Sequence, residues 1–126
     1  MSGALLDTSV LIASEAAAGE LPAAAAISVV SVGELYAGVE LARTPETRAL
    51  RQSRLVSIRA AFTPIPVDEL VAEQYGRVLA LARRQNRAEK AADVLIVATA
   101  AATSRSLVTL DLRQAALARA AGVAVV

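Results

Sequence analysis

The chain has 126 residues, the length of one ordinary domain, and 13 Lys and Arg against 12 Asp and Glu leave a net charge of +1. It contains no cysteine and no histidine, which excludes disulfides, zinc sites of the usual kind, thiol nucleophiles and histidine general bases. Any catalysis must therefore come from carboxylates, hydroxyls, Lys or Arg.

The first half of the chain predicts strands and helices in alternation. Residues 4–6 form a short buried strand, residues 8–18 a helix ended by Gly19, and residues 21–26 are compatible with a further helical turn. The β-branched residues 27–30 predict a second strand, followed by a helix over residues 32–42. Thr44 before Pro45 is a helix start signal, for a helix reaching residue 61.

The second half continues the alternation. The two prolines of residues 64–67 allow only a short edge strand there. Asp68 caps an amphipathic helix that ends near Asn86, and residues 91–103 form a buried helix that is apolar nearly all round. A strand at 107–110, a helix at 112–121 and a strand at 123–126 complete an α/β fold with a mainly parallel sheet and no internal domain boundary.

Neither a secretory signal nor a membrane span is expected. Asp7 interrupts the first apolar run, and the longest uncharged stretch, residues 21–33, is well short of the ~20 residues that cross a bilayer. A cytoplasmic protein is the expectation.

Four carboxylates stand alone among apolar or neutral neighbours: Asp7, Glu34, Asp93 and Asp111. A buried carboxylate must be paired, protonated or bound to a cation. Three of them follow predicted strands and the fourth, Asp93, begins the buried helix, so all are candidates for the end of the sheet where α/β folds bind ligands.

Each of these acids also has an ordinary structural explanation that the sequence leaves open. Residues 31–34 have the pattern of a capping box, residues 111–114 resemble one, and Asp7 is a plausible helix cap. Asp93 could simply favour the positive end of its helix, which is worth only ~0.3–1 kcal/mol.

The four acids together indicate a function more specifically than any one of them does. Two carboxylates at about 4 Å repel by about 4 kcal/mol at an effective dielectric of about 20, so a cluster requires a compensating cation or proton. Oxygen ligands favour Mg²⁺, with Mn²⁺ as a substitute, and such ions suit phosphoryl chemistry. The pattern therefore predicts a metal-dependent nuclease or phosphatase.

Segments 5–12, 31–35, 92–100 and 107–111, which contain the four acids, together resemble PIN-domain ribonucleases. The resemblance is strongest to the VapC-type toxins of bacterial type II toxin–antitoxin pairs. It implies one three-layer α/β/α domain over residues 1–126 that hydrolyses RNA phosphodiesters with Mg²⁺ or Mn²⁺ through in-line attack of a water. It also implies a homodimer and a co-expressed VapB-type antitoxin.

The resemblance assigns roles to individual residues. Asp7 and Asp93 become the leading metal ligands, and Glu34 and Asp111 complete the pocket directly or through water. Ser9 matches the small hydroxyl residue of the first motif and either supports Asp7 by a hydrogen bond or binds backbone.

RNA would be held mainly by arginine, because the aromatic residues are too few for base stacking. Two basic segments are equally compatible with phosphate binding or with solvated helix faces. The first segment contains Arg43, Arg48, Arg51, Arg54 and Arg59, and the second contains Arg83, Arg84, Arg87 and Lys90.

The chain departs from the family pattern at several positions. The family often has glycine at the position of Asn86, an apolar residue and a glycine where Glu89 and Lys90 stand, and an Asp-Phe pair in place of Gln114-Ala115. These departures bear on the shape of the cleft and on substrate choice.

Three other interpretations compete with this one. A haloacid-dehalogenase-like phosphatase wants a second Asp at the position of Ser9, and a receiver domain wants a lysine after a late strand, whereas the only lysine, Lys90, precedes the buried helix. A PIN-like module that binds RNA or protein without cleaving stays open.

Overall fold

The computed structural model describes residues 3–13 and 24–126. Within them, a parallel sheet has three strands, β1 (Ala4–Leu6), β2 (Ala25–Ala26) and β3 (Ser106–Val108), in the order β2-β1-β3. Single parallel bridges, Ser28 with Ile65 and Leu107 with Val125, extend the sheet on both sides. Because parallel neighbours need a crossover connection, helices must run across the faces of this sheet.

The described helices are α1 (Thr8–Ala13), α2 (Val29–Glu40), α3 (Pro45–Ala61), α4 (Glu69–Arg84), α5 (Ala91–Ala102) and α6 (Leu112–Ala120). None of the helices in the described part of the chain is long and apolar enough to cross a membrane.

Alternation of side chains along β1 divides the core in two. Leu5 packs with Leu107 and residues of α4, α5 and α6, whereas the next residue, Leu6, packs with Ile27 and residues of α1, α2 and α3. Successive strand residues point to opposite faces, so each leucine meets a different set of helices. The predicted three-layer α/β/α fold with a mainly parallel sheet is confirmed.

Helix α5 is the central helix, as its apolar sequence predicted. Its residues from Ile96 to Ala100 are all buried. The helix therefore holds Asp93, in its first turn, against the body of the domain.

Several predicted boundaries are confirmed by the observed caps. The side chains of Thr44 and Asp68 accept hydrogen bonds from the backbone N–H groups of Thr47 and Val71, at the starts of α3 and α4. Asn86 has the left-handed φ of 54° expected after α4. The short edge strand considered for residues 64–67 and the strand predicted for residues 123–126 are reduced to single bridges at Ile65 and Val125.

The region around the second strand was predicted wrongly. Residues 25 and 26, predicted as helical, form β2, and helix α2 begins at Val29 in what was predicted as strand. The reason is Ser28, whose side chain accepts the N–H of Val30 and caps α2, so the β-branched residues that follow are helical despite their strand propensity. The predicted helical residues 14–18 and 21–23 lie outside the described residues.

Candidate active site

Asp7 lies at the carboxyl end of β1 and is buried, with 5% of its surface exposed. Its backbone N–H donates to the carbonyl of Val108 at 2.9 Å, and its own carbonyl accepts from Val10 at 3.0 Å in the first turn of α1. The backbone of Asp7 is thus fixed by the sheet on one side and by a helix start on the other.

Three donors hold the Asp7 carboxylate. Oδ2 accepts from the backbone N–H of Ser9 at 3.1 Å and from the hydroxyl of Thr109 at 3.3 Å, while Oδ1 accepts from Nε2 of Gln114 at 3.0 Å. The Ser9 contact means that Asp7 does cap α1, but two contacts come from distant segments. A carboxylate has about four lone-pair positions, so oxygen capacity remains.

Gln114 is a residue that the sequence analysis missed. It lies in α6 with 1% of its surface exposed, and its Oε1 has no hydrogen-bond partner among the described residues. The available signal was a polar side chain on the same buried helix face as Leu117 and Ala118. That pattern shows burial, but nothing in it identifies Asp7 as the partner.

Glu34 is exposed on the second turn of α2, and a residue of α1 orients its side chain. Its Oε1 accepts the hydroxyl of Thr8 at 2.5 Å, and the same Thr8 oxygen lies 2.9 Å from the hydroxyl oxygen of Ser31. The capping box considered for Ser31 and Glu34 does not form, because Ser28 is the cap. Thr8 and Ser31, both buried, were also missed by the sequence analysis.

Asp111 is exposed, and the capping role considered for it is present. Its Oδ1 accepts the N–H groups of Arg113 at 2.9 Å and Gln114 at 3.2 Å, at the start of α6. Its own N–H donates to the Thr109 hydroxyl at 3.0 Å, and that same hydroxyl contacts Asp7. Thr109 therefore connects the two acids.

Asp93 is half-buried in the first turn of α5. Burial raises its pKa above the usual range for an aspartate, and the negative charges of Asp111, Asp7 and Glu34 raise it further, while Lys90 opposes them. The three other candidate acids, which come from distant parts of the chain, therefore lie within electrostatic range of Asp93.

Ser9 does not use its hydroxyl on Asp7. That oxygen accepts the N–H of Leu110 at 3.0 Å and lies 3.4 Å from the Thr109 hydroxyl oxygen. The hydroxyl does bind backbone, but the partner is Leu110, far along the chain, and not the helix to which Ser9 belongs. The bond joins α1 to the segment that carries Asp111.

Ala88 and Glu89, in the segment that precedes α5, are attached to α6. A guanidinium nitrogen of Arg113 donates to the carbonyl of Ala88 at 2.7 Å and lies 3.9 Å from the carboxylate of Glu89, whose side chain is 5% exposed. This contact positions the segment that leads into α5 and thus into Asp93.

Part of the first basic segment is used for packing α3 on α2. Arg48 pairs with Glu40 at 3.1 Å, Arg51 donates to the carbonyl of Gly38 at 2.6 Å, and Arg59 donates to the hydroxyl of Tyr36 at 2.7 Å. Cations near the end of a helix interact favourably with its free carbonyls, so these contacts stabilise the end of α2. They favour the structural interpretation of this segment.

The donor set suits a hard divalent ion, although no three carboxylates in residues 3–13 and 24–126 already form a ready set of metal ligands. With no histidine or cysteine in the chain, only oxygen ligands are available, as Mg²⁺ and Mn²⁺ prefer. No Lys or Arg of the described part forms an ion pair with any of the four acids. Their mutual repulsion at Asp93 is the kind that a cation relieves.

A family model described as PIN domain matches residues 4–120. Ribonuclease VapC8 of Mycobacterium tuberculosis (strain CDC 1551 / Oshkosh) is 42% identical over 100 residues, which cover 76% of this chain and 88% of that protein. Ribonuclease VapC5 of Mycobacterium tuberculosis (strain ATCC 25618 / H37Rv) is 34% identical over 126 residues, which cover 97% and 93%.

A solved structure of VapBC-5 from Mycobacterium tuberculosis, a member of the VapBC family of toxin–antitoxin systems, matches with a TM-score of 0.86 and 33% identity, covering 100% of this chain and 98% of that chain. The chain belongs to the PIN-domain family, in its VapC-type branch. The resemblance carried by the four acidic segments is thereby confirmed.

Proposed function

We propose that this chain is a divalent-metal-dependent endoribonuclease and the toxin of a toxin–antitoxin pair, with a site formed by Asp7, Glu34, Asp93 and Asp111. The observation that carries the proposal is the convergence of acids from separate elements. The Thr109 hydroxyl joins Asp7 and Asp111, and the pKa of Asp93 is raised first by burial and then by the charges of Asp111, Asp7 and Glu34. Repulsion of this kind at one end of a sheet is unfavourable unless a cation compensates it. The ribonuclease names of the relatives indicate the reaction.

The proposed metal ligands differ in how firmly hydrogen bonds hold their side chains. Asp7, held by Gln114, Thr109 and the Ser9 amide, is the fixed one. Glu34 is exposed and restrained by Thr8 alone among the described residues, so it can adjust. A rigid ligand supported by hydrogen bonds improves both affinity and geometry at a metal site.

A bound Mg²⁺ or Mn²⁺ would neutralise the acids and polarise a phosphate oxygen of the RNA. Because the chain has no histidine, orientation of the attacking water falls to the carboxylates. The four acids would hold the ion, and the ion would make the phosphorus of the RNA more susceptible to attack by water. The reaction is hydrolysis of a phosphodiester bond.

The test is cleavage of a structured RNA by the purified chain with Mn²⁺ or Mg²⁺, and with EDTA. Asp93→Asn keeps the shape of the side chain and is expected to lower the cleavage rate by more than about 100-fold, the upper end of what loss of a supporting contact costs. Glu73→Gln, which removes an exposed carboxylate of α4, is the matched control and keeps full activity. Cleavage that survives in EDTA or in Asp93→Asn contradicts the proposal.

The same preparation separates this function from its alternatives. If the chain binds RNA without cleaving it, intact RNA is retained with the protein in a filter-binding assay. If the chain is a phosphatase, it hydrolyses p-nitrophenyl phosphate. We expect RNA cleavage and no hydrolysis of the phosphatase substrate.

The toxin role is tested in cells and with a partner. Induced expression in a bacterial host is expected to arrest growth by acting on cytoplasmic RNA, and Asp7→Asn should relieve the arrest. A VapB-type antitoxin encoded beside the chain should also relieve it and should copurify with the expected homodimer. Growth arrest that persists in Asp7→Asn would speak against a nuclease toxin.

A further inference from the structure

A cavity of about 500 Å³ lies at the opposite end of the domain from the four acids. Its wall includes Ala100 and Ala101 of the last turn of α5 and Ser106, the first residue of β3. Asp93 is in the first turn of α5, so at about 1.5 Å per residue the cavity lies roughly 10 Å further along that helix. The cavity is therefore separate from the proposed nuclease site.

Two arginines and no acidic residue line this cavity. Arg77 comes from α4 and Arg105 from the turn between α5 and β3. Neither pairs with a carboxylate in residues 3–13 and 24–126. Two positive charges thus share one concave surface without a compensating negative charge.

The hydrogen bonds of these arginines show that one is held and the other lacks an acceptor. Arg77 Nε donates to Gln74 at 2.9 Å, and one of its terminal nitrogens donates to the carbonyl of Ala121 at 3.1 Å. Arg105 Nε is buried and has no acceptor in the described part of the chain. This unpaired donor leaves the charge of Arg105 without a compensating acceptor among the described residues.

The rest of the lining combines hydroxyl groups with apolar surface. Ser104 offers a hydroxyl beside the arginines, whereas the Ser106 hydroxyl donates to the carbonyl of Gly3 at 3.3 Å. The apolar part of the wall is formed by Ala100, Ala101 and Val123. Small-molecule sites commonly measure about 300–1,000 Å³ and combine apolar walls with a few polar anchors.

We propose that this cavity binds a phosphate monoester the size of a mononucleotide. A phosphate monoester carries about −1.5 to −2 charges at neutral pH, which matches two guanidinium groups, whereas a carboxylate leaves one of them uncompensated. Guanidinium binds phosphate through paired N–H donors, and the apolar wall suits the remainder of a nucleotide.

The proposal is tested by titrating the isotopically labelled chain, followed by amide NMR and thermal melting. The probes are inorganic phosphate, adenosine monophosphate and adenosine. Both phosphates are expected to shift the amide signals of residues 104–106 and 122–124 saturably and to raise the melting temperature, while adenosine alone has little effect. Tighter binding of the nucleotide than of inorganic phosphate supports the proposal, whereas equal binding of the two contradicts a ligand of mononucleotide size.

Two arginine variants and one control test the geometry. Arg77→Gln and Arg105→Gln should each weaken phosphate binding by about tenfold or more, the equivalent of about 1.4 kcal/mol. Arg119→Gln, at an exposed arginine of α6 outside the lining, should bind as the unaltered chain does. Because Arg105 is partly buried and its loss can lower stability, the exposed Arg77 provides an independent measurement.

Absence of a saturable shift with both phosphates overturns the proposal, as does unchanged binding in both arginine variants. RNA cleavage should be retained by Arg77→Gln and Arg119→Gln. Failure of this binding site is therefore distinguishable from failure of the proposed nuclease function.

Discussion

The side-chain amide of Gln114 tests how Asp7 is positioned. Gln114→Met keeps the length of the side chain, and removes the Nε2 donor to Asp7 together with the buried Oε1 that has no partner in the described residues. Loss of a hydrogen bond to a charged group costs about 1.5–3 kcal/mol, whereas removal of an unsatisfied buried oxygen returns about 1–3 kcal/mol. The two effects nearly cancel, so we expect a change in melting temperature of only a few degrees.

The effect on the metal site is expected to be much larger. Oδ1 of Asp7 loses its one donor among the described residues, while Oδ2 keeps Ser9 and Thr109. Loss of a group that orients a ligand typically costs 10–100-fold, or about 1.4–2.8 kcal/mol, in metal affinity. The assay is the Mn²⁺ concentration that gives half-maximal RNA cleavage, together with the rise in melting temperature on adding Mn²⁺.

Gln52→Met, an exposed glutamine of α3, is the matched control and should change neither quantity. If Gln114→Met cleaves RNA with unaltered Mn²⁺ dependence, the amide only fills space and the reasoning is refuted. Severe destabilisation would instead show that the unpartnered oxygen has no cost, contrary to the estimate above.

Three further outcomes are expected. Thr8→Val removes the hydroxyl that orients Glu34 without changing side-chain shape and should lower RNA cleavage by about tenfold or more, with a circular dichroism spectrum like that of the unaltered chain. In EDTA, Asp93→Asn should melt at a higher temperature than the unaltered chain. The pKa of Asp93 is higher in the folded state than in the unfolded state, so ionisation of this residue lowers the stability of the fold as the pH rises from the unfolded-state pKa through the folded-state pKa. Asparagine does not ionise, so this loss of stability is absent in the variant. The gain should shrink in acid, and a gain independent of pH would contradict this account. Leu107→Ala, at a site with 0% exposure between the sheet and α6, should lower the free energy of unfolding in urea by about 2–5 kcal/mol, whereas Leu112→Ala, at an exposed position, should change it little.

Local signals predicted the helix caps well where nothing distant competed with them. Thr44 with Pro45, and Asp68 before its amphipathic segment, were sufficient to locate α3 and α4. The start of α2 was different because Ser28 and Ser31 are both good caps by sequence. In the structure Ser28 is the cap of α2, and its backbone pairs with Ile65 far along the chain.

The order and type of most elements, and the isolation of the four acids, could be read from the sequence because hydrophobic periodicity and caps act over a few residues. Only the tertiary structure decided that Gln114 meets Asp7, that Thr8 meets Glu34 and that two arginines line one cavity. The physical reason is that these groups come together through packing of helices on a shared sheet. Contact between residues that are distant in the chain, 26 positions for Thr8 and Glu34 and 107 for Asp7 and Gln114, leaves no trace in the local pattern of either one.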